Sequence, residues 1–162
     1  MSKSDSMLLA CAKFVKFVLS NNFTELERKL FAKMLVEGFR KAHDQAESEF
    51  GKGKFLGHLY WTKNALELLG HNLAIKKSLS DNLRHEHSVP LIYLAENILF
   101  KMPKVATELD IFEKIKYFGI VVIMTRDEDS ALKLKSKMPD NWDRQDIFAR
   151  YDDLKSQIVK RD

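Results

Sequence analysis

Between Asp5 and Leu19 the apolar residues Leu8, Leu9, Phe14, Val15, Val18 and Leu19 cover more than one face of a helix, with Asp5 or Ser6 as its cap. Such a helix is largely buried or pairs with a second chain, which leaves a homodimer open. Asn21-Asn22 breaks it, and Thr24-Glu25-Leu26-Glu27 forms a capping box in which hydroxyl and carboxylate each satisfy a free backbone N–H. Phe23, Leu26, Leu30, Met34, Phe39, Ala42, Ala46 and Phe50 then recur three to five residues apart, predicting one apolar stripe on a second helix that runs to about residue 50. Gly51-Lys52-Gly53-Lys54 ends it. A third helix is expected from Leu56 to Leu69, with Leu59, Leu66 and Leu69 inward and Gly70 as C-cap.

The pattern then changes period. Asn72 to Asn82 suits a short helix or an irregular connection, whereas Leu83 to Val89 alternates as a strand does. Ser88 can cap a following helix with Pro90 in its first turn and Leu91, Leu94, Ile98 and Leu99 facing inward. Thr107-Glu108-Leu109-Asp110 opens another helix to about Phe118. Ile120-Val121-Val122-Ile123-Met124 is apolar throughout, as in a strand covered on both faces. Thr125-Arg126-Asp127-Glu128 starts one more helix, Lys137 to Trp142 is a turn-rich loop, and Asp146 to Val159 is a last helix. The expected fold is a mainly α domain with a small β element (α+β), one domain over residues 1–162, with about two short strands near 83–89 and 119–125 that pair with each other.

At 162 residues, with 45% hydrophobic and 31% charged residues, 6 Gly and 3 Pro, the chain can bury a core without disulfides or metals, and its composition excludes a disordered tail. A single cysteine, Cys11, rules out an intrachain disulfide or a Cys-based zinc cluster and reads as a packing residue in an apolar helix. The 13 residues from Met7 to Leu19 fall short of the about 20 that a membrane span needs. No signal and no span are expected, hence a cytoplasmic protein. The net charge of +4 is uneven: residues 1–80 hold 13 Lys and Arg against 8 Asp and Glu, residues 81–162 hold 14 against 15. The basic first half leaves nucleic acid open as a partner, with Lys52, Lys54, Lys63, Phe55, Tyr60 and Trp61 as a stacking and phosphate surface.

Arg84-His85-Glu86-His87-Ser88-Val89-Pro90 carries the most specific chemistry. On a strand, His85 and His87 share one face and Glu86 takes the other. Two imidazoles so placed could share a metal ion whose third ligand is a distant acid, or serve structurally, their N–H groups bonding backbone carbonyls under the sheet. Asp127 and Asp129, at the end of the apolar strand, are the candidates. His43 with Glu47 would form a second, weaker pair if both lie on one helix.

Glu86-His87-Ser88-Val89-Pro90 also resembles the acidic-His-x-x-Pro turn of the ββα metal finger in HNH (His-Me finger) nucleases. The resemblance covers five residues. It implies His87 as general base and Glu86 as ligand to a divalent metal ion, with His85, Asp127 and Asp129 nearby. The second half is also loosely similar to small bacterial proteins.

Trp142, Asp143, Asp146, Arg150 and Tyr151 lie in a segment rich in the Trp, Tyr and Arg that dominate binding hot spots; the same segment can instead be a structural clasp, with Trp142 and Phe148 buried and Arg150 paired to an Asp. No nucleotide loop, nucleophile triad or full metal site can be assembled from the remaining residues. The expectation is therefore a non-enzymatic, cofactor-free binding protein, most concretely an immunity or antitoxin-like inhibitor that neutralises another protein, a toxin, through Trp142 to Tyr151. The alternative is a metal-dependent nuclease, or a degenerate relative of one, built on His87.

Overall fold

A computed structural model of the chain describes residues 1–70 and 74–161. The first half is a helical pair: α1 (Lys3–Ser20) is capped by the Ser2 hydroxyl, upstream of the expected Asp5 or Ser6, and α2 (Glu25–His43) by the anticipated Thr24–Glu27 box. Small residues let the two approach. A Cβ on Gly38 would lie 2.8 Å from the Cys11 Sγ, and Ala12 and Ala32 are fully buried.

After α2 the expectation of one continuous helix to residue 50 fails, as does part of its stripe. The helix stops at His43, and Glu47–Ser48 (β1) and Gly51–Lys52 (β2) form a two-stranded hairpin. The buried side of α2 is Ala32, Leu35, Phe39, Ala42 and His43, while Leu26, Leu30 and Met34 face solvent. Two apolar series run along this helix, and α1 and α5 cover only one of them.

The expected third helix is also divided. Tyr60–Thr62 is strand β3, where an aromatic pair and a β-branched residue suit a pleated surface, and Thr62 then caps α3 (Lys63–Leu69). Within the expected irregular stretch, Asn72 and Leu73 lie outside the described residues, and α4 (Lys77–Ser80) is a single turn. Strand β4 (Leu83–His87) leads into α5 (Leu91–Lys101), whose Leu91, Leu94, Ile98 and Leu99 are buried as expected. Pro90 occupies the N-cap position and no side chain caps the helix, so Ser88 does not play its expected part. Helix α6 (Glu108–Phe118), strand β5 (Val121–Thr125) and α7 (Arg126–Ala131) follow where the capping boxes place them. The last expected helix is a 3-10 helix (Ala149–Gln157), kinked at Asp152 (φ 27°), followed by strand β6 (Ile158–Lys160).

The architecture is mainly helical α+β. Helices α1, α2, α5 and α6 enclose the larger core, around Val15, Phe39, Ile98 and Ile115. Beside them lies a four-stranded mixed sheet in the order β4-β5-β3-β6. The expected pairing of β4 with β5 is present and antiparallel; β3 runs parallel to β5, and β6 closes the far edge. Trp61, Leu83, Val121 and Ile123 point to the α3 side, while Val122, Met124, Leu132 and Tyr151 pack on the other. Among the described residues, no helix is long and apolar enough to cross a membrane.

Candidate functional site

Alternation along β4 sends its side chains to two different environments. His85 lies opposite Ile123 and His87 opposite Val121, both on the α3 side, whereas Glu86 lies opposite Val122 on the other. The α3-side face meets two further histidines. His43 is the last residue of α2, and His58 follows a tight reversal in which Gly57 N–H donates to Gly53 O and His58 N–H to Phe55 O. Gly57 is required there: a Cβ would lie 2.2 Å from Ala46 O and 2.7 Å from Gly53 O.

The four imidazoles form two contacting pairs. His43 Nδ1 is 2.9 Å from His87 Nε2, and His58 Nε2 is 3.0 Å from His85 Nε2. The rings of His85 and His87 are 5.1 Å apart, joining the pairs into one cluster. Hydrogen-bond chemistry fixes part of the tautomer pattern. His58 Nε2 is also 3.1 Å from the carbonyl of His43, which can only accept, so Nε2 of His58 carries a proton, shared between that carbonyl and an unprotonated Nε2 of His85. Neutral rings serve both pairs, one nitrogen donating and the other accepting. Desolvation enforces that state: it lowers His43 to about 4, His58 to about 3 and His85 to about 2, and holds His87 well below the ordinary histidine range. Neighbouring positive charge, from the other rings if protonated and from Arg40 near His87, adds to the effect.

On the opposite face Glu86 pairs with Arg150, a side chain 1% exposed whose Nη1 also donates to the carbonyls of Leu134 (2.9 Å) and Lys135 (2.6 Å). The carboxylate expected at a metal is thus neutralised by a guanidinium. Asp127 and Asp129 do not reach the histidines. The antiparallel register sets Leu83 opposite Thr125 and His87 opposite Val121, so acids beyond Thr125 lie at the far end of β4. Asp127 is exposed there, and the buried acid is its neighbour Glu128. Among the described residues, no group of three or more His, Cys, Asp or Glu is disposed to hold a metal ion. The metal centre that the sequence resemblance implies is therefore not matched by the donors in place. His43 and Glu47 are likewise separated by the end of α2, and Glu47 pairs with Lys52 at 2.5 Å.

Trp142, Asp143, Asp146, Arg150 and Tyr151 form a clasp rather than an open surface. Trp142 Nε1 donates to Asp146 O at 2.7 Å, and its ring packs 5.6 Å from Tyr93 and 5.8 Å from Phe118. Asp143 accepts from the backbone N–H groups of Gln145 and Asp146, and Asp146 binds Lys155. Arg150 and Tyr151 are buried at 2% and 1% exposure, so neither presents its side chain on the outer surface to a docking protein. Trp61 is fully buried and Tyr60 packs at a tilt of 57° against Phe148, so neither offers a platform to a nucleic-acid base.

Two features escaped the sequence. His58 and His43 join His85 and His87 only through folding, across 27 and 44 residues, and no local spacing announces it. The second is a pair of cavities flanking the cluster. One of about 450 Å³ touches His43 and His58, and one of about 220 Å³ touches His87, Glu86, Arg150 and Arg40. Compared with known proteins, the chain matches no family model, no curated protein and no solved structure.

Proposed function

We propose that this chain is a non-enzymatic partner-binding protein of the immunity or antitoxin-like kind, which neutralises another protein by covering it with the outer surface of α2 and α5. One observation carries the reading. These two helices leave five large apolar side chains in solvent: Leu26 (70% exposed), Leu30 (52%), Met34 (61%), Ile92 (38%) and Phe100 (40%). Leu26, Leu30 and Met34 follow one another at four-residue steps, a continuous ridge of the kind that marks interaction surfaces. Between the helices lies a groove of about 410 Å³ lined by Phe23, Glu25, Arg28, Lys29, Glu96 and Phe100, with room for an anchoring side chain. Helix α2 bears Arg28, Lys29, Lys33, Arg40 and Lys41 against Glu25, Glu27 and Glu37, which favours a partner whose apolar contact surface is rimmed by acids. In the segment from Trp142 to Tyr151, Trp142 packs against Tyr93 of α5.

The test is affinity capture with the wild-type chain and a Leu26→Glu/Leu30→Glu variant. Both sites are exposed, so the variant should melt at the wild-type temperature. A partner held by the wild type, lost by the variant and inhibited only by the wild type is the expected result. Equal retention by both proteins would remove α2 from the interface. The nuclease alternative draws no comparable support, since Glu86 is committed to Arg150 and His87 to His43.

A further inference from the structure

The smaller cavity beside His87 lies where β4 hands the chain to α5, and its walls are built for an anion. Pro90, Leu91 and Ile92, the start of α5, form one side. This helix has 11 residues and no side-chain cap, and its first intrahelical bond is Leu94 N–H to Pro90 O, at 3.0 Å. The N–H groups of Leu91, Ile92 and Tyr93 therefore precede the bonded ladder, at the positive end of the helix dipole. Ser88, two residues before the N-cap Pro90, has a buried hydroxyl with no partner and does not cap them.

A second, independent feature sits across the same cavity. Arg150 lines it, is almost fully buried, and spends Nη1 on two carbonyls and Nη2 on Glu86, leaving Nε buried with no hydrogen-bond partner. A buried guanidinium N–H without an acceptor is costly, and an anion in the cavity would supply one. Arg40 and Lys135 complete the rim, with the Ser136 hydroxyl beside them. Three cations thus face one carboxylate, Glu86. Arg40 also touches Glu37 at 2.8 Å, but both side chains are more than half exposed, and such a pair is weak enough for Arg40 to turn inward.

We propose that the β4–α5 junction binds a phosphate group, held by the free N–H groups of α5, Arg150 Nε and the side chains of Arg40 and Lys135. A volume of about 220 Å³ accommodates the phosphate and leaves the remainder of the ligand outside. The chemistry is that of a phosphate monoester, supplied by a mononucleotide or by the 5′ end of a nucleic acid. The inference shares Ile92 and Arg40 with the α2–α5 outer surface but does not rest on partner binding there, and it uses different variants.

The experiment is a titration of the ¹⁵N-labelled full chain with inorganic phosphate, a mononucleotide, and one oligonucleotide with and without its 5′-phosphate. Expected are saturable shifts of the Leu91, Ile92 and Tyr93 amides. Arg40→Ala and Lys135→Ala should each weaken binding about tenfold, because a hydrogen bond to a charged group is worth about one decade. Both are exposed positions whose loss leaves the fold intact. Tighter binding of the mononucleotide identifies a free nucleotide as the source; tighter binding of the oligonucleotide only when 5′-phosphorylated identifies a nucleic-acid end. Absence of shifts at α5 under saturating phosphate, or wild-type affinity in both variants, would overturn the proposal, as would oligonucleotide binding indifferent to both the 5′-phosphate and the variants.

Discussion

Glu128 illustrates how far one residue can reach. Its carboxylate takes the N–H (2.8 Å) and hydroxyl (2.9 Å) of Thr125, as the Thr-x-x-Glu spacing anticipates. It also takes the Thr62 hydroxyl at 2.7 Å and Asn64 Nδ2 at 2.9 Å, tying the end of β3 to the end of β5. Those parallel strands both finish in a threonine that caps the next helix, and Glu128 locks the two caps together. Four donors around one buried group leave no place for an amide NH₂. Glu128→Gln should therefore cost about 1–3 kcal/mol in urea unfolding, whereas the exposed neighbour Asp127→Ala should stay within about 0.5 kcal/mol. The local half of this arrangement was legible in the sequence. The half that reaches Thr62, 66 residues away, was not, because a capping motif says nothing of what else its acid touches. Gly57 is a similar case at the candidate site. Gly57→Ala drives a methyl against Ala46 O, so the His58 N–H to Phe55 O turn should open, read as faster amide exchange at His58.

At the scale of elements, the legible parts were those with both a strong period and a terminal signal. Helices α5 and α6 and strands β4 and β5 emerged from alternation, capping boxes and an unbroken apolar run, and with them the β4–β5 pairing. Strands β3 and β6 have three residues each, too few for a period to register, and β6 exists because β3 offers it an edge. Helix α2 shows a different limit. Its periodicity marks a helix correctly but holds two apolar series, and only packing against α1 and α5 decides which is inside. The two series should respond oppositely to truncation. Phe39→Ala, in the covered series, should cost about 3–5 kcal/mol, and Leu30→Ala, on the ridge, less than about 0.5 kcal/mol, both by urea unfolding. Comparable losses at the two positions would mean that the ridge is covered in solution, for instance by a second copy of the chain.

The whole molecule enters through the histidines, since the cluster exists only when α2, the turn at Gly57 and β4 are docked together. The sequence offered His85 and His87 on one strand face, and the structure keeps that face, but substitutes His43 and His58 for the acids as their neighbours. Docking strips water from four rings, and this fixes how stability must follow pH. An unfolded histidine takes its proton near pH 6.5. In the folded chain the values fall to about 4, 3 and 2 for His43, His58 and His85, and well below 6.5 for His87. The native state consequently binds fewer protons than the unfolded one, and stability is undiminished above pH 6.5 and declines as pH falls towards the folded values. A single ring whose folded value lies well below pH 5 contributes on the order of 1 kcal/mol per pH unit near pH 5, and all four rings act in the same direction. Carboxylates held low in the fold, such as Asp5 beside Lys116, start from 3.8 and destabilise only below that range. The expected outcome is cooperative unfolding between about pH 6 and 4, followed by circular dichroism, with a shallower pH slope in His85→Gln. Urea stability that stays level from pH 7 to pH 5 would mean that the rings remain hydrated and the cluster is open in solution.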